Sequence, residues 1–300
     1  MDAIEVIELC LMIANKGLPK SIPIERSFSV GEFQQLWRGE KTLVRPLLDG
    51  ILCAEFVGDG LEALLRTGAM ESLFPEISAL KSMGDFGGIH KDVWEHTKGV
   101  VSNIEPDIEL RWAALLHDLG KVKTRRIINK KVTFHNHDIV GERIVNSMDA
   151  RTKLFDGDRA LKSTVTNLVR FHLRPAAYKP SWTDSGVRRL VADVGGIEGM
   201  DKLLKLATSD MTTKDLNKRD KMRKRINELG DRVLHVVGKD NAPKLPKGTM
   251  GAIIVASSQA PGAWVNQLRG HLEEMLKDGK IPVGLSCDEY VLLAKELKLY

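Results

Sequence analysis

Leu110-Arg111-Trp112-Ala113-Ala114-Leu115-Leu116-His117-Asp118-Leu119-Gly120-Lys121 is the stretch from which the rest of this chain is read. Leu110, Ala113 and Ala114 recur at i, i+3 and i+4, which is one face of a helix, and His117 is the next step along it. An imidazole on a core-facing stripe is costly unless it is paired or ligates a metal. The pattern recurs twice. Val165, Leu168 and Val169 lead to His172, and Leu203, Leu206 and Ala207 lead to Asp210. His96 follows Ile89 and Val93 more loosely, because Asp92 takes one stripe position. Several such residues aimed inward predict a metal inside a helical bundle.

Working outward, the chain reads all-α with one exception. Helices are expected over residues 4–14, from Val30, over 61–66, from Phe74-Pro75-Glu76, and then over 91–103, 108–119, 139–147, 161–171, 184–194 and 199–210. Arg126-Ile127-Ile128 and Val132-Thr133-Phe134 flank Asn129-Lys130 as a short β-hairpin. Gly58-Asp59-Gly60 is expected to break the chain, Met83–Gly88 to be a linker, and Gly238–Gly248, with Pro243 and Pro246, to separate a C-terminal tail. In that tail Pro261-Gly262 sits between two helices and Gly279-Lys280-Ile281-Pro282 ends the second. The organisation this implies is an N-terminal helical segment (1–54), neck-like helices and a linker (55–88), a metal-binding helical domain (89–237) and a helical tail (238–300).

Composition sets limits. The 300 residues are 43% hydrophobic and 28% charged, as expected of a globular chain with a substantial core. No apolar run approaches a membrane span, and the acidic start Met1-Asp2-Ala3-Ile4-Glu5 does not read as a secretory signal. Cys10, Cys53 and Cys287 are scattered, which predicts reduced thiols and a cytoplasmic protein. The net charge of +5 is modest but clustered. Lys121, Lys123, Arg125, Arg126, Lys130 and Lys131 fall together without an acid, and residues 214–225 hold seven basic residues against Asp215 and Asp220. The first cluster begins three residues after Asp118, a position that favours phosphate recognition.

The order His96, His117-Asp118, Asp210 is the H…HD…D pattern after which HD-domain phosphohydrolases are named. Imidazole nitrogen and carboxylate oxygen suit Mn, Mg, Fe, Co, Ni or Zn. Asp118 can offer one oxygen to a metal and the other to a second ion or to the attacking water. A bound metal lowers the pKa of its water from 15.7 toward ~7. His137 and His172 lie in the right part of the chain to serve a second ion, which would make a pair ~3.5–4 Å apart. Lys121 suits a phosphate oxygen. His135 would flank the site, while His90, His235 and His271 read as surface or capping residues. Asp85-Phe86-Gly87 lacks the surroundings of a kinase metal motif, Asp156-Gly157-Asp158 reads as a loop, and Gly58-Asp59-Gly60 is too short to cradle a phosphate.

These residues resemble one family. Leu73-Phe74-Pro75-Glu76, Lys91-Asp92-Val93-Trp94-Glu95-His96-Thr97, His117–Lys121, Thr133-Phe134-His135-Asn136-His137, His172-Leu173-Arg174-Pro175, residues 183–190 and Ser209-Asp210-Met211-Thr212 follow the order of the C-terminal HD region of bacterial CCA-adding tRNA nucleotidyltransferases, the poly(A) polymerase-like family. The tail from Gly248 to Pro282 is similar as well, so the resemblance covers roughly residues 55–300. The family's catalytic head carries a Gly-Gly-x-x-Arg-Asp-type motif and a paired-Asp site. Residues 1–54 hold neither and read as too short and too helical for that head. The resemblance therefore implies hydrolysis rather than nucleotide addition, with His96, His117, Asp118 and Asp210 as metal ligands and His137 and His172 as further ones. The expected substrate is a nucleotide or RNA-end phosphoester, above all a 2′,3′-cyclic or 2′-phosphate. Asp118 would orient or deprotonate the water, Lys121 would neutralise developing charge, and Arg125 and Arg174 would hold the substrate. Arg188 and Arg189 could face RNA or serve helix termini. Two rival expectations stand beside this one: a tRNA- or RNA-binding module, and the subunit of a split enzyme on which a separate nucleotidyltransferase head docks. A second copy of the chain remains open as a partner.

Overall fold

The computed structural model describes residues 2–17, 30–83, 92–129, 131–213 and 215–300, with the backbone alone for Val30 and Lys131. His90, the Asp85–Gly87 motif, most of the expected 83–88 linker, Lys130 and Lys214 lie outside the described residues. The chain divides into two compact units, residues 1–233 and 234–300. No described helix is long and apolar enough to cross a membrane.

The fold is all-α with one two-stranded sheet among the described residues. The first unit begins with α1 (Ala3–Lys16), α2 (Val30–Cys53), α3 (Val57–Arg66), α4 (Ala69–Leu73) and α5 (Pro75–Ser78), closed by a 3-10 turn over Ala79–Met83. Next come α6 (Val93–Asn103), α7 (Ile108–Leu116), α8 (Lys121–Thr124), the strands β1 (Arg126–Ile128) and β2 (Lys131–Thr133), α9 (His137–Thr152), α10 (Arg159–Phe171), α11 (Asp184–Asp193), α12 (Gly196–Ser209) and α13 (Leu216–Asn241). Helix starts follow the polar caps in the sequence. Asp2, Asp92, Asp107, Asp158 and Thr183 each accept a backbone N–H in the first turn of the helix that follows.

Three sequence expectations are corrected. Gly58-Asp59-Gly60 does not break the chain but lies inside α3, because a Cβ on Gly60 would sit 2.6 Å from the Ala14 Cβ. The missing side chain lets α1 and α3 cross closely. Gly238 does not end a helix either: α13 runs on to Asn241, carried by the buried stripe Ile226, Leu229, Val233 and Val236. The expected helix 108–119 stops at Leu116, followed by tight turns through Gly120.

α7 is fixed by an aromatic chain. Trp112, 1% exposed, meets Phe74 and Phe155 edge-on at centroid separations of 6.2 and 5.9 Å, and Phe74 meets Trp37 at 5.6 Å. Such edge-to-face contacts contribute ~0.5–1.5 kcal/mol each beyond area burial. The Trp112 indole donates to Asp49 Oδ1 at 2.8 Å, and the Trp37 indole to the Thr152 carbonyl at 2.7 Å. Buried Arg111 donates to the Leu52 and Glu105 carbonyls, so its charge on the α7 core face is hydrogen-bonded rather than stranded.

In the second unit α14 (Thr249–Ser257), α15 (Ala263–Lys277) and α16 (Cys287–Glu296) enclose Ile253, Leu268, Leu272, Leu276, Tyr290 and Ala294. The Tyr290 hydroxyl donates to the Pro282 carbonyl at 2.8 Å, tying down the Gly279–Pro282 turn.

Candidate metal centre

Helix ends build the site. His117, His172 and Asp210 are the C-cap residues of α7, α10 and α12, and His137 is the first residue of α9. The sequence stripes lead to residues that the structure brings together, but each of these three sits one step beyond its helix rather than on its face. Three helix C-termini therefore turn their partial negative charge toward one place, which favours a cation there.

The imidazoles are aimed by their own backbone. His117 Nδ1 lies 2.7 Å from the Ala114 carbonyl, His172 Nδ1 2.7 Å from the Val169 carbonyl and His137 Nδ1 2.8 Å from the Phe134 carbonyl. A carbonyl only accepts, so each Nδ1 carries the hydrogen and each Nε2 faces inward. His96 Nδ1 instead meets Thr212 Oγ1 at 2.8 Å. Thr212 belongs to the Ser209–Thr212 stretch that carries the resemblance, but the sequence gives it no role.

Asp118, 1% exposed, stands at the middle. Its Oδ2 lies 3.3 Å from His96 Nε2 and 3.2 Å from His117 Nε2, while Oδ1 lies 3.5 Å from His137 Nε2. His172 Nε2 is 3.2 Å from His137 Nε2. Two groups able to hold a metal result, His96-His117-Asp118 and Asp118-His137-His172, sharing the one carboxylate. Asp210 adjoins the first, its Oδ1 being 3.0 Å from His96 Nε2 and 3.6 Å from His117 Nε2.

This donor set fits divalent cations on three observations. His117 Nε2 is fully buried and meets no well-aligned hydrogen-bond partner, only the carboxylate oxygens of Asp118 and Asp210 beside it. His137 and His172 turn inward-facing nitrogens on each other, although burial pushes both toward the neutral form, His172 down to about 4. Two lone pairs at that separation repel unless something positive lies between or beside them. Thirdly, burial would lower the His117 pKa, but Asp118 and Asp210 outweigh it and raise it to about 10, so that a proton occupies this position when no cation does. Burial works against the Asp118 carboxylate, yet His117 and Lys121 hold its pKa well below the usual range. Asp210 is likewise held low, by His117 and His96, against the cost of burial.

Glycine sets the spacing. A Cβ on Gly120 would fall 1.9 Å from the His137 carbonyl oxygen and 2.7 Å from Gly141 N, so only glycine lets the start of α9 rest on the turn after Asp118. The remaining candidates are placed less centrally. Lys121 Nζ sits 2.5 Å from Asp118 Oδ2 and 5.5 Å from the centre of the Phe134 ring. Arg125 is half-buried at the root of the hairpin. Arg174, two residues beyond His172, stacks on Trp182 with its guanidinium 4.8 Å from the ring centre. His135, His235 and His271 are exposed.

Residues 93–230 match the HD domain. The chain is also similar to the A-adding tRNA nucleotidyltransferase of Deinococcus radiodurans, 31% identical over 122 residues, which is 38% of this chain and 28% of the relative. Against the CC-adding tRNA nucleotidyltransferase of Thermus thermophilus it is 32% identical over 139 residues, 43% of this chain and 31% of the relative. Against the Multifunctional CCA protein of Neisseria meningitidis it is 32% identical over 98 residues, 31% of this chain and 23% of the relative. The chain thus spans less than a third of the length of these relatives.

Proposed function

We propose that this chain is a metal-dependent phosphohydrolase acting on a nucleotide or RNA-end phosphoester, with 2′,3′-cyclic and 2′-phosphates as the favoured substrates. The observation that carries the reading is the single buried carboxylate, Asp118, shared by two imidazole-bearing groups. His96, His117 and Asp118 would hold one ion with Asp210 beside them, and Asp118, His137 and His172 a second. Divalent ions there acidify water and draw charge from phosphoryl oxygens. With one ion bound, the remaining oxygen of Asp118 orients a water against phosphorus or takes up its proton. Lys121, already on Asp118, brings positive charge to the oxygens that gain negative charge during attack. Arg125 and Arg174 hold the distal phosphate or sugar, and the core around His117 and His172 keeps bulk water away from the ligand atoms. Mn, Mg, Fe, Co, Ni and Zn all remain compatible with this mixed set.

The test is a panel of 2′,3′-cyclic nucleotides, 2′- and 3′-phosphates, deoxynucleoside triphosphates and cyclic dinucleotides, assayed with each metal beside Asp118→Ala. Metal-dependent turnover lost in Asp118→Ala is the expected outcome. Unchanged turnover in that variant removes the mechanism. A second reading draws on the tRNA nucleotidyltransferases that the chain matches in part: a tRNA-binding module, or a subunit serving a separate nucleotidyltransferase head. Chelation separates them, since removing metal stops hydrolysis but leaves RNA binding in place.

A further inference from the structure

The first strand of the hairpin β1–β2 stands in solvent. All three residues of β1 are exposed, with Ile127 at 70% and Ile128 at 48%. Side chains alternate between the two faces of a strand, so the strand is covered on neither face. A lone two-stranded hairpin is marginal in water, and two solvent-facing isoleucines make it more so. Yet its register is definite: Arg126 opposite Thr133, Ile127 opposite Val132 and Ile128 opposite Lys131.

Both roots of the hairpin are fastened to the metal centre. On the outgoing side Lys121 reaches Asp118 Oδ2 at 2.5 Å. On the returning side the Phe134 ring lies 5.5 Å from Lys121 Nζ, and the Phe134 carbonyl fixes His137 Nδ1 at 2.8 Å. A ligand on the hairpin is therefore aligned with the centre. The charge on this segment has one sign: Lys121, Lys123, Arg125, Arg126, Lys130 and Lys131 fall within eleven residues that contain no acid. Lys123 and Arg126 are exposed. Cations interleaved with bare aliphatic surface fit a polyanion whose monomers also carry apolar faces, which describes a nucleic-acid strand. Three residues at ~3.3 Å each give an arm of about 10 Å, roughly the length of three stacked nucleotides.

We propose that the β1–β2 hairpin is a rail for single-stranded RNA, gripping the two or three nucleotides next to the phosphoester presented to the centre. Lys123 and Arg126 take backbone phosphates, and Ile128, which shares a face of β1 with Arg126, packs on a base. The proposal rests on the hydrolase reading for its purpose but not for its test, which needs no turnover.

A fluorescent 12-nucleotide RNA ending in a 3′-hydroxyl is titrated by anisotropy against the full chain, Lys123→Ala/Arg126→Ala, Ile128→Ser, and the control Lys295→Ala/Lys298→Ala, over a range of salt. The hairpin pair should bind at least tenfold more weakly. Its log-log salt slope should flatten by about 1.4, the loss of two single-strand phosphate contacts at ~0.7 each. Ile128→Ser should weaken binding without changing the slope, and the tail pair should change neither. All four proteins should melt alike, because the substituted side chains are exposed. Hydrolysis of a mononucleotide should survive the hairpin substitutions while that of an oligonucleotide falls. Hairpin variants that bind RNA as the unmodified chain does, or no worse than the tail pair, overturn the proposal. Failure of the hydrolase reading shows elsewhere, as turnover that survives Asp118→Ala.

Discussion

Gly120→Ala is the sharpest test of how the site is assembled. The backbone itself raises no objection, since Gly120 has φ −63° and ψ −22°, ordinary for alanine. In open space the change would even stabilise, by ~0.5–1 kcal/mol. The obstacle is the new Cβ, placed 1.9 Å from the His137 carbonyl oxygen and 2.7 Å from Gly141 N. Both are backbone atoms, so no side chain can rotate away, and the first turn of α9 must retreat by about 1.5 Å to reach ordinary contact. Overpacking of this kind costs ~1–3 kcal/mol, and with two backbone atoms in the way the upper end applies.

At ~2–4 °C per kcal/mol for a unit of this size, the melting point should fall by about 6–12 °C. The same retreat carries His137 away from its positions 3.2 Å from His172 Nε2 and 3.5 Å from Asp118 Oδ1. The group Asp118-His137-His172 should therefore lose its ion while His96-His117-Asp118 keeps one. Calorimetry and metal analysis of the purified variant read both effects. Gly99→Ala is the control: it lies within α6 with nothing within 4 Å of its Cβ, and should melt at or slightly above the unmodified chain. A Gly120→Ala protein that melts like Gly99→Ala with an unchanged metal content refutes the reasoning.

Thr212→Val removes the group that meets His96 Nδ1 at 2.8 Å, and should weaken metal binding ~10–100-fold by isothermal titration while leaving the melting point in chelator nearly unchanged. Equal affinity would mean that Thr212 does not orient His96. In chelated protein, His117 keeps its proton up to about 10 when folded but releases it near 6.5 when unfolded. The folded state then binds more protons between those values, so stability should fall as pH rises through that window. His172 works in the opposite sense: its pKa is about 4 folded against 6.5 unfolded, so its contribution is lost as pH falls through that range. Metal-free melting points should therefore peak near the ordinary histidine pKa, and metal should remove the alkaline decline and release about one proton on binding near neutral pH. A flat metal-free profile contradicts this. Cys10 is buried, and burial pushes its thiol up to about 12. A thiol reagent at mildly alkaline pH should label Cys287 in the native chain and reach Cys10 only after unfolding, as mass mapping would show.

Helical periodicity made most of the bundle legible, because α10 and α12 each bury one face and polar caps mark where several helices begin, although α7 is buried on every side. The hairpin was legible from its two short apolar runs around Asn129, which takes the left-handed φ of 50°. Less visible were features set by contacts between distant segments. Gly60 looked like a breaker because its role depends on Ala14 across a helix crossing, and the kink of α2 at Glu40 directly follows Gly39 rather than falling at Pro46 in the same helix. The resemblance makes Arg174 a substrate-holding charge, and the stacking that orients its guanidinium on Trp182 is a contact no local pattern announces.

Where the site helices end was the deepest gap, and it has a chemical reason. The last carbonyls of a helix lack intrahelical donors. His117 and His172 each supply one from Nδ1, to Ala114 and Val169, three residues back. The ring that satisfies its helix's final turn is thereby forced to present Nε2 outward along the helix end, where a cation also finds favourable partial charge. Capping and aiming are one act here. An amide side chain could reproduce the first but would bring no imidazole nitrogen to the second. His117→Gln should accordingly lose the metal, and because a neutral amide cannot offset the buried carboxylates of Asp118 and Asp210, its melting point in chelator should fall at neutral pH and lose the alkaline decline that the His117 proton gives the unmodified chain.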